Sequence, residues 1–450
     1  MRSFLAAALF PVAVGAATPA QIAALDGKEF TCMGALRAGS ADGVAAYTGK
    51  WSESWPGMKN AQGFDAGPYA AEKPLFTITA ANAAQYAAHL SEGQLALLKK
   101  FPAAFRMPVY PSHRDFRYAD WVCDTVKQNA ASAALDGGGL NAQQALGAIP
   151  FPFPANGLEA LFDIKRGAGA WSEEVVHSSA DVYANGTVVW GKVGLKVLVP
   201  WNKPELKPRP RTPKETVEAY FLHEQFLPER DKGTVSVGTT PLDYGHGALT
   251  AYVYLPGTRR VRQAVDVPPD YPAPPGGFHT VDDEALFNGS PDRFNWKLVG
   301  RRELYVPYDN FGLNDPALRY KDLIGAQTFN PDHLRYELHR VWVVEGTLKT
   351  GLRHVYSKRV LYADEDSWHP LWADMTDAHG VLWRAAFGNY FWSPAARAFH
   401  RGVTVYHDLI AGNYEAEYLV NESGAEGWRF NDPKLSPAQF SPAALARRGH

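Results

Sequence analysis

The sequence predicts a mainly β, α+β protein built on one large curved antiparallel sheet. Aromatic residues make up 13% of the 450-residue chain, and 33 prolines and 40 glycines supply frequent turns. That composition favours short strands over long helices. Runs of alternating character also follow one another with short links, which implies an antiparallel meander and not βαβ units.

The first segment, residues 1–17, carries Arg2, an apolar run from Phe4 and small residues at Val14 to Ala17 before Thr18-Pro19. This pattern reads as a secretory signal peptide cut near Ala17, too short and too Pro-interrupted to remain as a membrane span. The mature chain is then expected to be soluble and exported. Its two cysteines, Cys32 and Cys123, pair as a disulfide in an oxidising compartment; two buried thiols are the alternative.

Residues 18–170 read as an irregular, partly helical region. Thr79 to Leu90 is Ala-rich, and Ser91 with Gln94 has the spacing of a capping box opening a short helix that ends at Phe101-Pro102. Pro150, Pro152 and Pro154 exclude a central strand and predict an extended strap laid on the surface. Asn156 is placed to cap an amphipathic helix carrying Leu158, Leu161 and Phe162.

Strands dominate residues 171–425. In 187–197, Val189, Val193, Leu195 and Val197 fall opposite Lys192 and Lys196, the mark of a half-buried strand. Thr212-Pro213-Lys214-Glu215 carries three helix-start signals and predicts a helix through Phe226. Strands are then expected over 251–255, 296–306, 335–348, 354–363, 371–374, 381–387, 403–410 and 414–420, with turns at Pro256-Gly257, Asp364-Glu365-Asp366, Asp377 to Gly380 and Ala411-Gly412-Asn413. The Pro- and Gly-rich stretch 267–295 is long for a structureless loop and is a lid candidate. Residues 426–450 form a C-terminal tail.

In 336–345 period two separates Tyr336, Leu338, Arg340, Trp342 and Val344 from Glu337, His339 and Glu345. The aromatic theme repeats at Tyr252, Tyr254, Trp296, Trp372 and Trp383. Such a face either packs as core or lines a cleft for an apolar ligand. Arg340 on it needs a carboxylate or an anionic headgroup.

Lys+Arg 45 against Asp+Glu 47 leaves a net charge of -2, with no electrostatic footprint for nucleic acid. The chain has no GxSxG elbow, no zincin pair after His223-Glu224, no phosphate loop, no GxGxxG at a strand-to-helix turn and no CxxC. No catalytic residue, metal ligand or cofactor is assigned. Asp364 to His369 lacks the Gly and distal Glu of a calcium loop and reads as a solvated hairpin turn.

Several segments together resemble a known family: Ala70 to Thr79, Phe105 to Arg114, Ile149 to Pro152 with Asn156 to Ala160, Asp292 to Phe294 with Trp296 to Gly300, and Arg335 to Glu345. The family is one of bacterial exported proteins of unknown function grouped with the LolA/LolB-like outer-membrane lipoprotein-sorting proteins, and the similarity spans nearly the whole mature chain. Cys32 and Cys123 stand where typical members have other residues. The resemblance implies a half-open barrel with helices covering one side, an apolar hollow that takes acyl chains, and a periplasmic location. It also implies an outer-membrane barrel protein and an inner-membrane RND-type transporter as partners.

The function expected is that of a non-enzymatic carrier for a lipid, lipidated protein or hydrophobic metabolite. Tyr336, Leu338, Arg340, Trp342, Val344, Tyr254, Trp296 and Trp383 are the expected ligand contacts. A hydrolase of hydrophobic esters and a structural component of an envelope complex are the alternatives.

Overall fold

The computed structural model describes residues 17–51, 54–58, 66–206, 208–264, 267–274, 276–424 and 427–448. The segment read as a signal peptide, residues 1–17, lies outside them except for Ala17. The helices are α1 (Pro19–Ala24), α2 (Glu92–Lys100), α3 (Asp120–Ser132), α4 (Gly157–Lys165), α5 (Tyr320–Leu323) and α6 (Pro442–Arg448). Four short strands come first: β1 (Phe76–Ile78), β2 (Met107–Val109), β3 (Ala134–Leu135) and β4 (Ala142–Gln143). The first series of long strands is β5 (Ser172–Val182), β6 (Val188–Leu198), β7 (Val217–Leu227), β8 (Val235–Pro241), β9 (Thr250–Leu255) and β10 (Arg260–Gln263). The second is β11 (Phe294–Pro307), β12 (Tyr336–Leu348), β13 (Tyr356–Asp364), β14 (Pro370–Asp377), β15 (Leu382–Ser393), β16 (Ala398–Asp408) and β17 (Tyr414–Leu419), followed by the short β18 (Arg429–Phe430).

Each series is an antiparallel meander, and β17 pairs with β5 to join them into a 16-stranded sheet. The sheet stays open, because β10 pairs with β9 and β11 with β12, not with each other. This is the curved, half-open antiparallel architecture that the turn spacing predicts. Helix α4 packs on β11 and β12, α2 on β14 and β15, and α6 on β8 to β10.

The caps at Ser91 and Asn156 form as the sequence predicts. Ser91 accepts from the Gln94 amide while Gln94 reaches back, and Asn156 accepts from Leu158 and Glu159. The Ala-rich 79–90 stretch does not make a helix; it makes two single turns, Ala83–Gln85 and Ala87–His89. Isolated short helices are marginal, and this one has no apolar face long enough to hold it.

Residues 212–226 also differ from expectation. The Thr212-Pro213-Lys214-Glu215 signals produce one turn, with the Thr212 amide donating to the Glu215 carboxylate at 2.7 Å. From Val217 the chain is strand β7, paired with β6 and β8 on its two sides. Two waiting strands outbid the local helix preference of the next residues.

The 150–154 segment is extended, but Pro150, Pro152 and Pro154 are buried, so it lies within the fold and not on its surface. The 267–295 stretch carries a turn of 3-10 helix, Val281–Leu286, that touches β14 and β15. Asp282 and Asp283 of this turn are buried against Arg359. Cys32 and Cys123 form a disulfide across 91 residues, tying the N-terminal segment to α3. Closing a loop of that length contributes about 4–5 kcal/mol in the chain-entropy model.

Candidate ligand-binding site

The central strand β12 is buried from Tyr336 to Val344 on both faces, so its alternation does not separate a solvent face from a ligand face. Tyr336, Leu338, Arg340, Trp342 and Val344 are each 7% exposed or less. Trp342 lies parallel to Trp368, with centroids 5.5 Å apart, and the Arg301 guanidinium covers it at 4.4 Å. Arg340 meets Glu365 at 3.2 Å and Glu303 at 3.4 Å and donates to the Ala38 carbonyl. The carboxylate partner expected for it is thus internal. Trp383 is half-buried and donates to Asp408; Tyr254, also half-buried, packs beside the α6 cluster.

The other face of β12 is ionic. Glu337 pairs with Arg335 and His339, and the His339 ring stacks on Tyr308 at 3.7 Å. The 364–369 turn is a second correction to the sequence reading. It is not solvated: Asp364, Glu365, Asp366, Ser367 and Trp368 are 1% exposed or less. Arg114 makes the burial affordable with two parallel bonds to Asp366, at 2.6 and 2.7 Å. Asp364 has no such cation, and burial followed by the Asp366 charge pushes its carboxyl up to about 7.

A cleft with a mainly apolar lining lies elsewhere. It has a volume of about 380 Å³ and forms where the C-terminal end of α4 and the 285–288 turn approach β5, β7, β8 and β14 to β17. Leu146, Ile164, Trp201, Leu242, Phe287 and Phe399 give it an apolar and aromatic lining. Lys165 sits in the wall, donating to the carbonyls of Asn288 and Gly289 at 2.8 Å each. Burial lowers its ammonium to about 8. None of the eight residues expected from sequence lines this cleft. Trp296 meets the lining residue Phe287 edge-on at 5.0 Å.

Arg401, also in the lining, leads into a group of ionisable side chains. It pairs with Glu284 and lies 3.5 Å from Glu417. His279 Nδ1 is 2.8 Å from Glu415 and its ring stacks on Tyr406 at 4.3 Å. Burial would lower the imidazole, but the Glu415 charge and hydrogen bond raise it to about 10. Burial, reinforced by Glu284, pushes Glu417 up to about 8, and burial with Glu415 does the same to Asp181. Ligand atoms of His279, Glu284 and Glu417 lie within 4.8 Å of one another, as do those of His339, Asp364 and Asp366. These are the groups able to hold a cation among the described residues.

The model of a family described as "Protein of unknown function (DUF1329)" matches residues 77–446. The chain belongs to the DUF1329 family. A Pseudomonas aeruginosa protein, "Uncharacterized protein PA3922", is 36% identical across 99% of this chain and 97% of its own length. Among solved structures, a DUF1329 family protein from Desulfovibrio piger aligns with a TM-score of 0.41 at 14% identity, covering 61% of this chain and 92% of that one. A putative outer membrane lipoprotein-sorting protein domain from Vibrio parahaemolyticus gives 0.39 at 15%, covering 61% and 92%. A LolA superfamily protein from Nitrosomonas europaea gives 0.34 at 11%, covering 60% and 90%.

In this DUF1329 chain no helix among the described residues is long and apolar enough to cross a membrane. Its buried histidines set a pH dependence. Burial depresses His177, His400 and His407 to about 3 and His369 to about 4. Each is neutral when folded and takes up a proton on unfolding, so its contribution is complete above pH 6.5 and is lost as pH falls towards the folded value. At pH 5 that loss is about 2 kcal/mol for each histidine. His407→Phe, between Phe387 and Tyr414, should therefore lose about 2 kcal/mol less than wild type between pH 7.5 and pH 5 in urea titrations. Identical losses would show that His407 is not held neutral by the fold.

Proposed function

We propose that this chain is a non-enzymatic carrier of the bacterial envelope that shelters an apolar or amphiphilic molecule, and that the molecule sits in the cleft beside α4. The observation that carries this reading is the cleft itself. Its 380 Å³ falls within the roughly 300–1,000 Å³ of small-molecule sites, and its lining is predominantly apolar and aromatic with a few charged groups. Each methylene taken from water gains about 0.8 kcal/mol, so a short acyl or isoprenoid segment suffices for retention while remaining exchangeable with a membrane. The sequence resemblance to the lipoprotein-sorting group and the leader-like residues 1–17 support an exported, periplasmic carrier. On the same resemblance, an outer-membrane barrel and an RND-type transporter are the proposed delivery partners.

In the conformation described, Tyr336, Leu338, Trp342 and Val344 are packed into the hydrophobic core, with Arg340 engaged by Glu303 and Glu365. Gly169 offers the test. It lines the cleft, and a Cβ added there would meet only Asn202 Nδ2, at 3.8 Å. Gly169→Phe should fill the cavity without disturbing the fold. Native mass spectrometry of protein purified from a periplasm should find a co-purifying amphiphile on the wild type, at least tenfold depleted in Gly169→Phe. An empty wild type, or equal loading of both proteins, would overturn the proposal.

A further inference from the structure

The ionisable group beside the cleft is richer in acid than its neighbours can balance. Asp181 on β5 stands opposite Glu415 on β17, and both are buried. Glu417 lies two residues along the same strand, and Glu284 reaches in from the 281–286 turn. Arg401 and His279 are the cationic groups in contact with these carboxylates. Four carboxylates thus face two cations. Asp181 shows the shortfall most clearly: it is 0% exposed, and neither of its oxygens has a hydrogen-bond partner. A buried carboxylate left in that state is costly and calls for a proton or a compensating cation.

The imidazole is arranged for metal binding. Its Nδ1 is committed to Glu415 and its plane is fixed on Tyr406, which leaves Nε2 as the ligand atom. A metal-bound histidine commonly has its second nitrogen held by a carboxylate in this way. Glu284 and Glu417 bring carboxylate oxygens within 4.8 Å of an imidazole nitrogen and of each other, so small side-chain movements close a coordination sphere about 2 Å in radius.

We propose that His279, Glu284 and Glu417 form a binding site for one divalent transition-metal ion of the zinc class. Glu415 orients the imidazole and supplies the outer negative charge. One nitrogen and two oxygens suit zinc or manganese better than the hard, all-oxygen sphere of calcium or magnesium. Three protein ligands leave the fourth tetrahedral position to water. The ion shares Glu284 and Glu417 with the Arg401 guanidinium, which limits its affinity to the micromolar range. This site is independent of the carrier reading and stands whether or not the cleft holds a lipid.

The test uses tag-free full chain stripped with EDTA and titrated calorimetrically with Zn²⁺, with the bound metal counted by mass spectrometry. One equivalent should bind with a Kd of about 10 µM or tighter, and Ca²⁺ should not compete at a hundredfold excess. His279→Gln and Glu417→Gln should each weaken binding at least tenfold. Glu284, 39% exposed, is the variant least able to harm the fold, and Glu284→Gln should show the same loss with an unchanged circular dichroism spectrum. Absence of stoichiometric uptake, or wild-type affinity in Glu284→Gln, would overturn the proposal. So would a loss of binding in His339→Gln with His279→Gln unaffected, which would move the ion to the other triad.

Discussion

Trp342→Ala is expected to destabilise the protein by about 3–5 kcal/mol, the range for removing a large buried aromatic side chain. Trp342 is 5% exposed and packed between the Trp368 ring and the Arg301 guanidinium. Truncation leaves a cavity against two large groups, one on β11 and the other in the 364–369 turn. Arg301 also loses its aromatic platform while Glu365 continues to hold it at 3.6 Å. Urea unfolding followed by far-UV circular dichroism measures the effect. A change below about 0.5 kcal/mol would show that this side chain is not core, and would restore the expectation of an open aromatic wall. Trp342→Asp should fail to fold, because it removes the same packing and places a carboxylate in that closed space beside an Arg301 already engaged by Glu365.

Arg114→Met is expected to cost a similar 3–5 kcal/mol, for an electrostatic reason. The guanidinium is 1% exposed and neutralises Asp366 bidentately while approaching Glu365 at 3.7 Å. Removing it strands buried negative charge, and breaking a buried pair from one side is far more costly than removing both partners. Adding Asp366→Asn to Arg114→Met should therefore recover at least 1 kcal/mol. The double-mutant cycle in urea decides it, since strictly additive losses would mean that the two side chains are not coupled.

The strands were legible where burial on the sheet imposes period two or a run of β-branched and aromatic residues. The segments expected over 296–306 and 335–348 correspond to β11 and β12. Strand β7 was not legible, because Thr212, Pro213 and Glu215 signal a helix start and the two strands that flank it are long-range information. The 364–369 turn fails for the same reason. Three acids and a serine look like a solvated turn until Arg114 is known to reach them across 252 residues.

The candidate site was less legible still. Its lining is gathered from residues 145–147, the end of α4, the 285–288 turn and seven strands, so no single stretch carries its signature. His279, Glu284 and Glu417 lack the short spacing that makes metal motifs recognisable. Among the expected aromatic residues, Trp296 touches the cavity lining through Phe287.

The seam between β17 and β5 bears on the order in which the sheet can assemble. Tyr414 pairs with Val182 and Leu419 with Ser178, so the outer rim of β5 has no long neighbour until the last long strand has been synthesised. During synthesis the β5–β10 half presents an unsatisfied edge, a template for pairing with another chain. Contacts so distant in sequence also slow folding. A nascent chain of this kind gains from being kept unfolded until its C-terminal end is available, and versions truncated before β17 should aggregate rather than fold as half-sheets.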